Sequence, residues 1–365
     1  MSRVGTLETD PVQDIRFARS ADGVGIAYAL HGAGPPLLID ACWLSHLQFD
    51  WQSPVWRHFL VELGRIATVI RYDERGHGLS DRDVTDHSLQ ARVADLEAVA
   101  DGAGFDHFAL LAMAQGGPVA IEYAARHPER LTRLIFYGSD AGARGVPSAN
   151  ELELGHAFDA MIKVGWGRPT PEFRRVFTSM MIPGGTEEQM VWIDELQKMA
   201  VDADTAVLAR SQRQMIDSSG RLGELDLPTL VVHSLRDQIK SFEQARYLAA
   251  HIQGARLVAL DSDNHIVLSD EPAWPVLRRE ITDFIAPDRD AAPVASAEDV
   301  ASALSPRELE ILRAAAGGYD NEAIAAELTL SVRTVERHLQ NVYAKLGLHG
   351  RTARTAAVAR LLSGV

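Results

Sequence analysis

Short apolar runs alternate with longer segments of helical periodicity through the first three quarters of the chain. Two further apolar runs, 14–18 and 24–29, stand at the start and are joined by Asp22-Gly23, a pair typical of hairpin turns. We interpret 31–36, which is rich in glycine and proline, as a turn. Strands that alternate with helices predict a parallel sheet with crossover helices. The expected strands of that sheet are 37–39, 67–71, 108–113, 134–137, 229–232 and 256–260.

The alternation stops between about residues 140 and 222, where helical segments rich in methionine and tryptophan follow one another. This interruption predicts a helical cap inserted into an α/β domain. The stretch 286–300 is small, polar and interrupted by proline, which indicates a linker. We therefore predict an α/β domain over 1–288 with a cap at about 140–222, a linker at 289–302 and a second domain at 303–365.

Composition narrows the class of protein. The 365 residues are 46% apolar but contain no long apolar run, which favours a globular protein over a membrane protein. The first residues contain no apolar signal segment, so export is not expected. A single cysteine, Cys42, excludes an internal disulfide framework and predicts a reducing cytoplasm. We expect no metal and no cofactor.

Charge is distributed unevenly along the chain. The net charge is −14, which argues against a protein that binds nucleic acid or an anionic membrane along its whole length. From Val300 onward, however, eight basic residues stand against six acidic ones, a net charge of +2. The two predicted domains are therefore expected to have different partners.

The segment 111–117 combines a strand ending, a sharp turn and the start of a helix of small residues. In a nucleophile elbow, Gly-x-Ser-x-Gly lifts the serine oxygen out of such a turn. Here Ala112 stands at the first glycine position, Gly116 at the second, and Ala114 at the position of the nucleophile. A methyl group cannot attack a carbonyl, so the elbow is present without its reactive atom.

The partners of a catalytic serine are nevertheless in place. Asp237 follows a late strand and His265 follows the last one, in the chain order that a serine–acid–histidine triad requires. The oxyanion would be bound by the backbone N–H of Gln115 and by one near Cys42 and Trp43. His77 and Ser80 occur in a second candidate stretch, 71–80, which we interpret as a structural loop.

These landmarks together resemble the α/β-hydrolase superfamily over nearly 290 residues. The resemblance implies a doubly wound, mostly parallel sheet with a helical cap. Three explanations of Ala114 stand open: a pocket that binds without cleaving, an active esterase or lactonase whose serine has been replaced, and loss of function by decay. We favour the first, with a hydrophobic ester, lactone or related carbonyl compound as ligand. The expected ligand contacts are Cys42, Trp43, Met113, Ala114, Gln115, Trp166, Met180 and His265.

The last 60 residues predict a compact helical domain. Ser305 as N-cap, Pro306 at the first helical position and Glu308 form a capping-box pattern. A helix up to Gly317, a short helix at 321–328 and a third helix from Ser331 are expected. The third helix has one apolar stripe, which consists of Val335, Leu339, Val342 and Leu346.

The polar surface of this third helix suggests a DNA reader, because a short helix, a tight turn and a longer helix with outward cations form a helix-turn-helix. The sequence of the domain is similar to the LuxR-type DNA-binding domain. That resemblance implies that the helix 334–345 enters the major groove, with Arg337 and Gln340 on the bases. It implies phosphate contacts for Arg333, Thr334, Asn341 and Lys345, and pairing of two copies through a last helix at 354–362. A protein-interaction module with solvated charges is the alternative.

We therefore predict a cytoplasmic, homodimeric, ligand-responsive transcription regulator that binds operator DNA and a hydrophobic small molecule, and no membrane. An active serine hydrolase fused to a DNA-binding domain is the second hypothesis. A scaffold whose hydrolase-like domain only mediates subunit contacts is the third.

Overall fold

A computed structural model of the chain describes residues 12–40, 44–143, 148–286, 304–316, 319–345 and 357. It divides into two units, Met1–Ala286 and Pro287–Val365, which are described separately below. The predicted linker, 289–302, lies outside the described residues, and the predicted domain boundaries stay predictions.

The first unit is built on one eight-stranded sheet with the order β1-β2-β4-β3-β5-β6-β7-β8. β2 pairs antiparallel with both β1 and β4, and all other neighbours are parallel. The apolar runs of the sequence form these strands, and the predicted α/β class is confirmed. The strands are Asp14–Arg19, Gly25–Gly32, Pro36–Asp40, Thr68–Tyr72, Phe108–Met113, Leu131–Tyr137, Thr229–Ser234 and Arg256–Leu260, which are β1 to β8.

One boundary differs from the prediction, because His31 and Gly32 belong to β2 and not to a turn. The buried His31 ring lies 2.8 Å through Nε2 from the carbonyl oxygen of Leu60, which gives this polar side chain a partner inside the core. A Cβ at Gly32 would lie 2.3 Å from the carbonyl oxygen of Gly64. The glycine is therefore required by the close approach of a neighbouring helix and by its own φ of +79°.

The described residues of the first unit form ten α-helices, with bounds Leu47–Asp50, Arg57–Ile66, Leu89–Gly102, Gly117–Arg126, Ala149–Gly165, Glu172–Met181, Glu187–Ala200, Ala203–Arg213, Phe242–His251 and Ala273–Ile285, which are α1 to α10. Alternate strand residues face opposite sides, as the period of two requires. Leu37 and Leu111 contribute to the core under α2, α10 and the cap, whereas Leu38 and Leu110 contribute to the core under α3, α4 and α9. The four helices α5 to α8 lie between β6 and β7 in the chain, where the sequence predicts the cap.

The second unit contains three described helices, Pro306–Ala316, Asn321–Glu327 and Val332–Lys345, which are α11 to α13. Val335 and Leu339 of α13 are buried against Ile311 and Ile324, so the predicted stripe is the packing face. Leu346 and the helix predicted at 354–362 lie outside the described residues, except for the buried Ala357.

Among the residues that the structure describes, no helix is both long enough and apolar enough to cross a bilayer.

Candidate functional site

The turn after β5 has the backbone of a nucleophile elbow. Ala114 has a φ of +47°, a left-handed conformation that is strained for any residue with a Cβ. The hydroxyl of the buried Ser139 donates a 2.6 Å hydrogen bond to the carbonyl oxygen of Ala114. A Cβ at Gly117 would lie only 1.9 Å from the carbonyl oxygen of Asp140. The small residues that the sequence places here are therefore required by the crowding of the turn.

The structure brings Asp237 and His265 together from the ends of β7 and β8. His265 Nδ1 lies 2.6 Å from Asp237 Oδ2, and both side chains are buried. Asp237 Oδ1 accepts hydrogen bonds from the backbone N–H groups of Ile239, at 2.7 Å, and Lys240, at 3.0 Å. Burial raises the pKa of Asp237, but His265, the N–H of Lys240 and the nearby His233 outweigh it and leave the pKa below its usual value. The carboxylate is thus ionised and orients the ring.

The other ring nitrogen of His265, Nε2, has no hydrogen-bond partner among the described residues. Gly138, with a φ of +55°, lies against the ring, since a Cβ there would be 3.0 Å from His265 Cε1. The site therefore holds a positioned imidazole that can donate or accept one hydrogen bond.

A second histidine, which the sequence analysis missed, lies behind this pair. His233 Nε2 is 3.4 Å from Asp237 Oδ2 and 2.8 Å from the carbonyl oxygen of Lys240. Burial lowers the pKa of His233, which favours its neutral form. The only signal in the sequence is its position near the end of β7, four residues before the acid.

The other predicted ligand contacts are in different surroundings. Cys42 and Trp43 lie outside the described residues, Met180 and Gln115 are half-buried, and Gln115 Nε2 is buried without a hydrogen-bond partner. Trp166 is in the core of the cap, where its indole N–H donates a 3.1 Å hydrogen bond to the carbonyl oxygen of Val201. That contact gives Trp166 a packing role, and its contact with a ligand stays a prediction.

A cavity of about 40 Å³ adjoins the elbow at Met113. Neither Ala114 nor His265 nor any cap residue lines it, so this cavity is not the apolar pocket that we expect beneath the cap. Its lining combines apolar and charged side chains: Ile39, Asp40, Ser45, Asp50, Trp56, Phe59, Leu60, Arg71, Tyr72 and Met113.

Two of the charged side chains of this cavity come from strands, and the third, Asp50, comes from α1. Asp40 ends β3 and accepts a hydrogen bond from the Tyr72 hydroxyl, and Arg71 lies in β4. Asp50 Oδ2 accepts hydrogen bonds from the backbone N–H of His46, at 3.1 Å, and from Arg71, at 3.4 Å. Burial raises the pKa of Asp50 to about 7, although Arg71 opposes the shift. None of these charged residues was predicted from the sequence as part of a site.

The predicted DNA-reading surface is exposed on α13. Arg333, Arg337, Gln340 and Asn341 are exposed on the side away from the buried stripe. Thr334 is half-buried, and its hydroxyl lies 2.7 Å from that of Ser331, which caps the helix. The four exposed side chains are therefore not used in the packing of the domain. The phosphate contact of Thr334 stays a prediction.

Lys345 is already paired within the domain. Its Nζ lies 2.6 Å from Glu308 Oε2, which also accepts a 2.8 Å hydrogen bond from the backbone N–H of Ser305. The N–H of Glu308 in turn donates to the Ser305 hydroxyl, so the predicted capping box is present. Lys345 lowers the pKa of Glu308 to about 2. Glu308 thus connects the start of α11 to the end of α13, and the phosphate contact of Lys345 stays a prediction.

Comparison with known families agrees with the two resemblances. The family model for the α/β-hydrolase fold matches residues 35–174, and that for bacterial regulatory proteins of the luxR family matches residues 302–358. The chain therefore joins an α/β-hydrolase domain to a C-terminal LuxR-type helix-turn-helix domain, which is a DNA-binding domain.

Individual relatives match about two thirds of the chain. A putative carbamate hydrolase, RutD, of Azorhizobium caulinodans is 25% identical over 254 residues, which are 68% of this chain and 91% of that protein. A 2-hydroxy-6-oxononadienedioate/2-hydroxy-6-oxononatrienedioate hydrolase of Klebsiella pneumoniae is 26% identical over 251 residues, 65% of this chain and 79% of the other.

Solved structures share the fold. A hydrolase from Pseudomonas aeruginosa superposes with a TM-score of 0.62 at 22% identity, over 74% of this chain and 98% of that one. The enol-lactonase from Burkholderia xenovorans gives 0.58 at 21% identity, over 74% and 100%.

Proposed function

We propose that the protein is a ligand-responsive transcription regulator, in which the hydrolase domain binds a small molecule without cleaving it and the C-terminal domain binds operator DNA. One observation supports this most directly: a formed nucleophile elbow carries Ala114 while Asp237 and His265 keep a 2.6 Å contact. The LuxR-type domain in the same chain supplies a DNA-binding activity that ligand binding could regulate.

Loss of hydrolysis follows from the chemistry of the elbow. A triad histidine removes a proton from the nucleophile, and the side chain of Ala114 has no proton to give. Ser80 is a poor substitute, because its buried hydroxyl donates to the carbonyl oxygen of Asp73, at 2.6 Å, and accepts from the N–H of Ala27, at 2.9 Å. A bound ester or lactone would therefore stay intact, with its oxygen hydrogen-bonded to His265 Nε2.

Regulation requires that the ligand has different affinities for two states of the protein. We infer that ligand binding alters the geometry of a homodimer and so its affinity for two operator half-sites. DNA binding also requires the compartment that contains the genome, which supports the predicted cytoplasmic location.

The test of the binding site uses Ala114→Ser and a panel of chromogenic esters and lactones. We expect no turnover by the wild type or by Ala114→Ser, and a thermal shift with at least one carbonyl compound that His265→Ala weakens. Turnover by Ala114→Ser that disappears in the double variant with His265→Ala would support the second hypothesis, an active hydrolase fused to a DNA reader. The retained Asp237–His265 pair and the hydrolase names of the relatives favour that hypothesis.

The test of DNA binding uses the exposed cations of the second unit. Arg337→Ala should weaken operator binding by about 1–3 kcal/mol, since it removes a proposed base contact. Arg313→Ala, an exposed arginine on α11, is the matched control and should leave affinity nearly unchanged. Equal effects of the two substitutions in a gel-shift titration would disprove the groove assignment.

A further inference from the structure

We propose that the cavity beside Met113 is a subsite for the N–H-donating end of the ligand, with a primary amide as its chemical class. This inference rests on the proposed function, because it treats the hydrolase domain as a ligand-binding domain. The Asp237–His265 pair alone would recognise only a carbonyl or hydroxyl group of the ligand. The cavity would in addition recognise a hydrogen-bond donor on the same ligand.

The polar groups that line this cavity include a hydrogen-bond acceptor that the described residues leave unused. Asp50 is 5% exposed, and its Oδ1 has no hydrogen-bond partner among the described residues. The two terminal nitrogens of the Arg71 guanidinium donate to Asp50, to Gln13 Oε1 at 2.9 Å and to the carbonyl oxygen of Leu47. A buried acceptor without a donor destabilises the folded protein, so a ligand that supplies an N–H would relieve that cost.

The charge around the cavity selects against anionic groups. Asp40 and Asp50 line it, and Asp73 is close enough to act on the titration of Asp50. Arg71 is the cation that faces them in the lining. A carboxylate placed beside the ionised Asp50 would be repelled by it, whereas an amide would not.

The dimensions fit a head group and not a whole molecule. A volume of about 40 Å³ corresponds to about three water-sized positions, and a primary amide has three heavy atoms. Trp56, Phe59, Leu60 and Met113 form the apolar part of the lining, against which a short alkyl chain can pack. Because Met113 precedes Ala114, the occupied cavity would lie beside the elbow.

The experiment is calorimetric titration of the full chain with propanamide at pH 8, where Asp50 is ionised. Propanoate, which has the same alkyl chain, is the matched ligand. Asp50→Asn is the test variant, and Asp226→Asn, an exposed position outside the cavity, is the control with the same change of charge. We expect propanamide to bind the wild type and Asp226→Asn equally and Asp50→Asn at least tenfold more weakly, with no binding of propanoate.

Crystals of the wild type soaked in propanamide provide a measurement that needs no variant, and they should show the amide beside Asp50. Density for water alone, equal binding of propanoate, or unchanged affinity in Asp50→Asn would each overturn the proposal. If a carbonyl ligand binds in a His265-dependent way while propanamide does not bind, the subsite is wrong and the regulator proposal stands. If neither class binds, both are wrong.

Discussion

Glu308 offers a sharp test of the second unit, because one carboxylate both caps α11 and pairs with Lys345. Glu308→Gln keeps an oxygen that can accept from the N–H of Ser305, since glutamine also serves in capping boxes, but it removes the ion pair. Glu308→Ala removes both. Comparison of the two variants therefore separates the cap from the connection between α11 and α13.

The magnitudes follow from exposure. A pKa lowered from 4.5 to about 2 would correspond to about 3 kcal/mol if it were fully expressed as stability, but the Lys345 side chain is 44% exposed. Solvent screens such a pair, and we expect Glu308→Gln to destabilise the second unit by about 1 kcal/mol. Glu308→Ala should cost about 1 kcal/mol more, the usual value of a cap. Because the pKa is lowered in the folded state, this stabilisation is complete above pH 4.5 and is lost as the pH falls towards 2.

Amide hydrogen exchange of α11 in the full chain is the appropriate assay, because all six tryptophans precede residue 287 and do not report on the second unit. Glu310→Gln is the control, since Glu310 forms an exposed pair with Arg307 on the same helix. Protection of α11 should fall in the order wild type, Glu308→Gln, Glu308→Ala. Our reasoning is refuted if Glu308→Gln keeps wild-type protection at pH 7, or if it loses protection in acid as the wild type does.

Three further substitutions test individual contacts. Thr329→Gly should stabilise the second unit by about 1 kcal/mol, because Thr329 has a φ of +54° in the turn before α13. Hydrogen exchange measures this change, and a destabilisation would show that the threonine side chain is needed. Trp166→Phe should lower the free energy of unfolding of the first unit by about 1 kcal/mol, because it removes the hydrogen bond to Val201. Urea unfolding measures this change, and an unchanged free energy would show that the bond contributes little. Gly138→Ala should displace His265 and abolish the thermal shift given by carbonyl ligands, and an unchanged shift would remove His265 from the site.

The sequence predicted those parts of the molecule that depend on local pattern. The run 37–39 in β3 and the whole of β5 are apolar, so their burial follows from composition alone. The capping box at Ser305 also depends on residues three positions apart, and both of its hydrogen bonds are present. Asp237 and His265 could be predicted as partners because each follows one of the last two strands, in the chain order that a triad requires.

The charged cavity could not be predicted in the same way. Arg71 is one polar residue in an apolar strand, and whether it is exposed or buried depends on α1, which brings Asp50 to it from 21 positions away in the chain. The ion pair of Lys345 could not be predicted either, and the sequence suggested a phosphate contact for this residue instead. Its partner Glu308 lies 37 positions away, and only the packing of α11 on α13 brings the two together. Contacts between distant elements are outside the reach of periodicity.

The hydrogen bond from Ser139 to the carbonyl oxygen of Ala114 fixes the elbow through its main chain and not through the side chain at position 114. The methyl group is therefore an attachment point that the turn does not depend on. A cysteine introduced there would present a thiol at a backbone position held by its neighbours. Disulfide tethering of small fragments at that thiol would then map which molecules the domain accepts, independently of how weakly they bind when free.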